Sequence, residues 1–320
     1  MGRLYVYMGQ IRANPYYVLM RGLARFKTIR HLFRILISFN KRINKTEINM
    51  RLCDSETKFA GADISEIVSK LKKEGYATGI NLPEDICDEI LNYARSATCY
   101  AERDPALGFR IDQLDSAQKA LKRPILIGQF FNSIESCKAI ANLGEDLALK
   151  TIAAQYLEAE PVHVGTLLWW SFPAKSGTTE RNRAAQMFHY DLDDFGFLKF
   201  FFYITDVDTE AGPHVIVSGS HEKKRYKNIL ERFLVRRYTD EEIRELYGED
   251  KVKIITGKSG TGFAEDTLCI HKGQPPETKR RLLLQVQYAL RDYSNQNDII
   301  EKSKLHSIIQ KDRSNELQCQ

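Results

Sequence analysis

An imidazole and a carboxylate one residue apart can serve a single metal ion, because side chains i and i+2 of an extended segment point to the same side. His189 and Asp191 stand in that relation in the segment Gln186-Met-Phe-His189-Tyr-Asp191. His271 follows far enough along the chain to come from a different strand. Two histidines and one carboxylate on one face leave coordination positions open, the donor set of non-haem Fe(II) oxygenases. Arg281, shortly after the second histidine, offers a planar fork for an organic carboxylate. Together these residues suggest an acid cosubstrate beside iron: a 2-oxo acid chelating through two oxygens, with a position left for O2. Asp191 occupies the place where a small residue would free a site for halide, which favours hydroxylation over halogenation.

These residues need a scaffold that brings remote strands to one mouth. From Pro161 the chain is β-rich: His163–Pro173, Met187–Asp191, Leu198–Val207, His214–Val217, Val252–Ile255, Gly262–Ile270 and Arg281–Leu290 read as strands. Gly212-Pro213 reads as a turn between two of them. Many short strands with turn signals indicate a sandwich or barrel. The expected fold is mainly β with flanking helices, built on a double-stranded β-helix (a jelly roll, cupin-like core). Ahead of it, Asp63–Gly75 reads as a helix capped by Asp63 or Ser65 and ended by glycine. Tyr76–Asn81 reads as a short strand, and a second helix starts at Pro83. Ser136–Ala159 is alanine- and leucine-rich and reads as helix, as do the charged residues 222–248; residues 100–130 show no clear pattern.

Side-chain parity separates Arg281 from Arg280. Leu282, Leu284, Val286 and Tyr288 form an apolar face suited to packing against helices, whereas Leu283, Gln285 and Gln287 share the face of Arg281. That face should line the polar mouth, where a buried arginine needs a carboxylate partner. His163, His214 and His221 read as structural. Gln186, Lys199, Tyr203 and one of Trp169 and Trp170 are candidates for the pocket wall.

The net charge of +5 is unevenly placed. Residues 1–51 carry eleven Lys and Arg against the single Glu47, while the rest carries 36 basic and 41 acidic side chains. A mildly acidic body with a basic head does not describe a nucleic-acid-binding enzyme. The segmentation read from this is a basic, helical extension over 1–55, a jelly-roll domain over 56–295 and a polar tail over 296–320. In the head, Leu19, Leu23, Phe26, Phe33 and Ile37 recur at roughly helical spacing, consistent with an extension packed on the body and with weak contact to an anionic membrane surface through residues 1–50. No apolar run is long enough to span a bilayer and no secretory pattern is present, so a cytoplasmic location is expected. Six scattered cysteines (Cys53, Cys87, Cys99, Cys137, Cys269 and Cys319) lack the spacing of zinc sites or disulfide frameworks and read as free thiols.

Over roughly residues 60–292 the chain resembles the phytanoyl-CoA dioxygenase-like family of Fe(II)/2-oxoglutarate oxygenases. The resemblance is carried by Leu71-Lys-Lys-Glu-Gly75-Tyr76, Gln186–Asp191, Tyr203-Ile-Thr-Asp-Val-Asp-Thr-Glu-Ala-Gly212-Pro213, Val217-Ser-Gly-Ser-His221, His271 and Arg281. It implies that His189, Asp191 and His271 bind Fe(2+) and that Arg281 holds the distal carboxylate of 2-oxoglutarate. The loop Lys272-Gly-Gln-Pro-Pro-Glu277 departs from the family pattern, and residues 1–50 have no counterpart in it. The expected activity is hydroxylation of a small organic substrate (a lipid, amino acid or specialised metabolite) by O2, with decarboxylation of 2-oxoglutarate to succinate and CO2. No obligate protein partner is indicated. The competing reading is a non-oxidative metal-binding jelly roll, a binding module or an isomerase.

Overall fold

A computed structural model describes residues 14–40, 57–59, 61–174, 177, 185–227, 231, 236–294, 296 and 298–309. Two antiparallel sheets face each other. The larger runs in the order β1 (Tyr76–Thr78), β9 (Gly262–Glu265), β6 (Phe197–Tyr203), β11 (Arg281–Ala289), β5 (Val162–Ser171), β4 (Ile127–Phe130), β2 (Thr98–Ala101) and β3 (Gly108–Arg110). The smaller runs β10 (His271–Gly273), β7 (His214–Val217) and β8 (Val252–Ile255). This is the expected jelly-roll architecture, mainly β with flanking helices.

Strand alternation divides the large sheet into two faces. Leu198, Phe200 and Phe202 of β6, with Leu282, Leu284, Val286 and Tyr288 of β11, pack outward against the helices Ile64–Glu74, Glu84–Ser96 and Leu147–Leu157. Phe201, Tyr203, Phe263 and Leu283 point inward and meet Ile216 and Ile255 of the smaller sheet. Lys199 and Gln285 share this inward parity. The register sets Gln287 opposite Lys199, and Lys199 opposite Glu265, so one row of polar residues crosses an otherwise aromatic face.

The helix Ile64–Glu74 starts on the Asp63 carboxylate, which accepts the Glu66 N–H, and ends at Gly75 in the left-handed region (φ 82°). A Cβ on Gly75 would lie 2.2 Å from Cys269 Sγ, so the helix end abuts the turn that leads into β10. The Gly75 carbonyl accepts the Asp266 N–H at 2.9 Å, which ties the two together.

Several elements differ from the sequence reading. Met187–Asp191 is not a regular strand: only Phe188 and His189 pair, with Tyr238 and His271 respectively. The strand expected over Gly262–Ile270 ends at Glu265; the chain turns at Asp266, and His271 opens a strand of the other sheet. The stretch Ser136–Ala159 holds the end of the short helix Ser133–Ser136, then Lys138–Gly144 and Leu147–Leu157, because Asp146 accepts the Ala148 and Leu149 N–H groups and caps a new start. Within 222–248 the α-helix among the described residues is Asp240–Tyr247, opened by a reciprocal Thr239–Glu242 capping box; 228–230 and 232–235 lie outside the described residues. Residues 100–130 contain β3, the helix Leu114–Leu121 and β4.

The described part of the head holds the helices Pro15–Leu23 and Lys27–Asn40 where a single helix was read. Met20 and Ala24 are buried against Phe188, Tyr190, Leu192 and Phe195, directly under the segment carrying His189 and Asp191, while Leu19 and Leu23 are exposed. Residues 55 and 295, where segment boundaries were read, both lie outside the described residues, as do Cys53 and Cys319. The other four cysteines are free and buried. No described helix is long and apolar enough to cross a membrane.

Gly75→Ala should cost more than about 1 kcal/mol, since both φ and the space oppose a side chain; an unchanged urea midpoint would refute this. Asp194 is fully buried and accepts the Phe195 and Arg291 N–H groups, and burial raises its pKa to about 7. A raised carboxyl pKa means that the folded state holds the proton more tightly than the unfolded chain. Stability should therefore fall as pH rises from about 4 towards 7. Asp194→Asn should remove that component from the pH dependence of Tm.

Candidate metal centre and its pocket

The centre is built on one backbone pair. The His189 N–H donates to the His271 carbonyl at 2.9 Å and the His271 N–H returns a bond at 2.7 Å, so residues distant in sequence stand directly opposite. Their rings lie 4.4 Å apart. Each ring is oriented by its own chain: His189 Nδ1 sits 2.9 Å from the Met187 carbonyl, and His271 Nδ1 2.9 Å from the Cys269 carbonyl. A carbonyl can only accept, so in both neutral rings Nδ1 carries the hydrogen and Nε2 presents its lone pair. Burial lowers both imidazole pKa values, against the pull of nearby carboxylates, and keeps the rings neutral.

Asp191 completes the set. Its N–H donates to the Thr267 carbonyl, and its Oδ1 and Oδ2 lie 3.7 Å from His189 Nε2 and His271 Nε2 respectively. One ligand atom from each of the three residues falls within 4.8 Å of the others. Two inward-facing imidazole lone pairs and a carboxylate fit a divalent metal of intermediate softness.

Lys199 is the feature that sequence reasoning valued too low. Its Nζ lies 2.7 Å from Asp191 Oδ2 and 2.9 Å from Asp193 Oδ2. Burial alone would raise the Asp191 pKa; the Lys199 ammonium outweighs it and holds the carboxyl well below its usual range. Burial opposes the lysine charge too, and the two aspartates more than restore it. The available signal was a lysine inside Phe197-Leu-Lys-Phe-Phe-Phe-Tyr203, at the parity of the pocket-facing Phe201. A second pair went unforeseen: His214 Nε2 and Glu265 Oε2 are 2.7 Å apart and fully enclosed. Burial drives the His214 pKa down to about 3 and that of Glu265 up to about 8, making this a neutral hydrogen bond. His214 stacks on His271 at 5.4 Å and so braces it from behind.

A cavity of about 330 Å³ joins His189, Asp191, Lys199, His214 and His271 to Arg281, Gln285, Trp169 and two further arginines, Arg103 and Arg237. Arg281 is 3% exposed. One nitrogen donates to the Gly212 carbonyl, another lies 3.4 Å from Ser171 Oγ, and Nε has no partner among the described residues. Gly212 is in the left-handed region (φ 75°) and a Cβ there would meet the Gln274 carbonyl at 2.4 Å; the Gly-Pro turn thus aims a carbonyl at the guanidinium. Arg280 is exposed and lies over the Trp170 ring, outside the cavity. Lys272, the other alternative, pairs with Asp240 at 2.7 Å. Trp169 lines the cavity, whereas Trp170 faces the helices. Tyr203 is committed to the Ile255 carbonyl, and His221 to the Gly75 junction.

No protein-family model and no curated protein sequence matches the chain. Solved structures with a similar course of chain include the non-heme alpha ketoglutarate dependent epimerase SnoN from nogalamycin biosynthesis, 13% identical over 72% of this chain and 83% of SnoN, with TM-score 0.45. HygX from Streptomyces hygroscopicus, solved with nickel and 2-oxoglutarate, is 12% identical over 70% of this chain and 86% of HygX, with TM-score 0.47. EctD from S. alaskensis, solved with iron, is 15% identical over 73% and 79%, with TM-score 0.44.

His189→Ala and Asp191→Ala should each weaken Fe(II) or Ni(II) binding by well over the roughly 10–100-fold loss typical of an outer-shell change, with the circular dichroism spectrum retained. Lys199→Met leaves the half-buried Asp191 and Asp193 without their cation and should destabilise the metal-free protein by about 1 kcal/mol or more. Mn(II) should then raise the Tm of the variant more than that of the wild type. Equal Tm values without metal would show that the lysine is dispensable.

Proposed function

We propose that the protein is an Fe(II)- and 2-oxoglutarate-dependent dioxygenase that hydroxylates a small organic substrate, of the phytanoyl-CoA dioxygenase-like kind. The observation that carries this is Arg281. It is buried, opens into the same cavity as the His189–Asp191–His271 triad, and among the described residues no carboxylate pairs with it. A desolvated guanidinium without an anion is costly, so the site calls for an acid from outside the protein. A small dicarboxylate fits, with one end on the Arg281 fork and the other at the metal.

In this reading His189, Asp191 and His271 hold iron. Bound there with 2-oxoglutarate, iron would supply oxidation by O2, with release of succinate and CO2 and hydroxylation of a substrate carbon. The chain's own contribution is positional and electrostatic. The Met187 and Cys269 carbonyls keep both Nε2 lone pairs aimed inward. Lys199 keeps Asp191 ionised. Arg281 and Gln285 Nε2, which has no partner among the described residues, present donors from β11 to the cosubstrate. Phe201, Leu283, Leu167 and Trp169 keep that wall of the cavity dry.

Anaerobic addition of Fe(II) and 2-oxoglutarate to the metal-free protein should produce a visible charge-transfer band, absent in Asp191→Ala. Iron binding without the band would favour the metal-binding module or isomerase instead. Arg281→Ala should raise the 2-oxoglutarate Kd by about tenfold or more, the loss of a charge-assisted pair. Arg280→Ala should leave it unchanged; the reverse pattern would reassign the carboxylate site.

A further inference from the structure

A lysine in contact with the carboxylate of a metal triad creates an electrostatic difficulty. Lys199 Nζ lies 2.7 Å from Asp191 Oδ2. A carboxylate serves a divalent ion through its negative charge, and an ammonium in contact cancels that charge. His189 and His271 are kept neutral by burial. Taken alone, the Asp191–Lys199 pair would leave the triad with no net charge to offer a cation. Asp193 changes the sum. Its Oδ2 lies 2.9 Å from the same Nζ, and an ammonium has three hydrogens with which to serve both acceptors. One ammonium between two carboxylates leaves one negative charge, the charge Asp191 would carry if the lysine were absent. The Lys199 side chain is 9% exposed, so these contacts are screened less than a surface pair.

Asp193 is placed to act through the lysine and not on the ion. It does not line the cavity, and among the described residues it is not one of the three whose ligand atoms converge. Its own orientation is fixed from two sides. Gln287 Nε2 donates to Oδ2 at 3.3 Å, and the Tyr17 hydroxyl, from the first helix of the head, lies 3.5 Å from Oδ1. Gln287 is 1% exposed, stands opposite Lys199 in the register of β11 and β6, and accepts a bond from Gln296 Nε2 at 2.9 Å. Strand register therefore sets the ammonium and the amide that orients Asp193 side by side.

We propose that Asp193 is a positioning residue of the metal centre: by sharing the Lys199 ammonium it leaves Asp191 an anionic ligand for the ion. The proposal rests on the reading of His189, Asp191 and His271 as a metal site and is independent of the 2-oxoglutarate assignment.

The test is a double-mutant cycle on the full chain, read by calorimetric titration of Ni(II) into the metal-free protein. Asp193→Asn keeps the size of the side chain and an acceptor for Gln287 and Lys199, and removes the charge. It should weaken Ni(II) binding by about tenfold or more, the scale of an outer-shell change. Lys199→Met should tighten binding, since both carboxylates then act without a cation. The double variant should return to within about threefold of wild type, because Asp191 again carries one unopposed charge. A residue that only supports the fold would leave Asp193→Asn at wild-type affinity, or make the double variant the weakest binder; either result overturns the proposal. If Asp193→Asn does not fold, the comparison of Lys199→Met with the double variant decides. The added Asp193→Asn should then lower the Ni(II) affinity, and equal affinities overturn the proposal. A wild type that takes up no Ni(II) overturns the metal-site reading and the proposal together, whereas Ni(II) binding without coupling between Asp193 and Lys199 overturns the proposal alone.

Discussion

The reciprocal backbone bond between His189 and His271 is the constraint on which the rest of the centre depends. It closes a small-sheet pairing between two segments that are otherwise turns and short irregular strands. Because the pair is a hydrogen-bonded one, the two imidazoles project to one side at a separation a single ion can bridge. Each ring then needs only a local carbonyl to fix its tautomer. Little else holds this region in register. The pairing before His189 is a single residue long, and β10 has three residues. The apolar cluster beneath, Phe188, Tyr190 and Leu192 with Met20 and Ala24 from the head, supplies the adhesion that these short ladders lack. The basic head is therefore part of the floor of the site in its helical portion, whatever else its remaining residues do.

Burying charge shapes the other half of the site. The large sheet is aromatic on both faces, yet its inner face carries Lys199, Glu265, Arg281 and Gln285. Each is handled differently. Lys199 is paired with two carboxylates. Glu265 escapes the cost by holding a proton and sharing a hydrogen bond with neutral His214. Arg281 cannot lose its proton, and its acceptors among the described residues are neutral, a carbonyl and a hydroxyl. The burial of a permanently charged group with so little compensation is what turns the fold into an argument for an external acid.

Much of this was legible from residue types and parity. The alternation in Arg281–Tyr288 separated a helix-facing surface from a pocket-facing one, and the structure places Leu282, Leu284, Val286 and Tyr288 on the first. Gly75 and Asp63 marked the ends of a helix because left-handed backbone and N-terminal capping have strong local preferences. Reading failed where tertiary contact overrode local pattern. The apolar run Phe263–Ile270 looked like one strand but crosses between sheets, since Asp266 must turn to reach the Gly75 carbonyl and the Tyr156 hydroxyl. The head looked like one stripe of Leu19, Leu23, Phe26, Phe33 and Ile37; Ile37 is buried and Phe33 packs on the core as that stripe required, but Leu19 and Leu23 are exposed and Met20 and Ala24 are buried in their place, set by the surface the first helix docks on.

The sequence alone determined the donor types: two imidazoles, a carboxylate and an arginine in strand-rich surroundings, because ligand chemistry and side-chain alternation are local properties. It also determined the jelly-roll class, through the number and brevity of the strands. Only the tertiary structure decided which charges share the cavity. Lys199 against Asp191 and Asp193, His214 against Glu265, and Arg103 beside Arg237 arise from strand register and from turns far apart in the chain. Electrostatic energy depends on distance in space and on burial, and neither is written in the order of the residues.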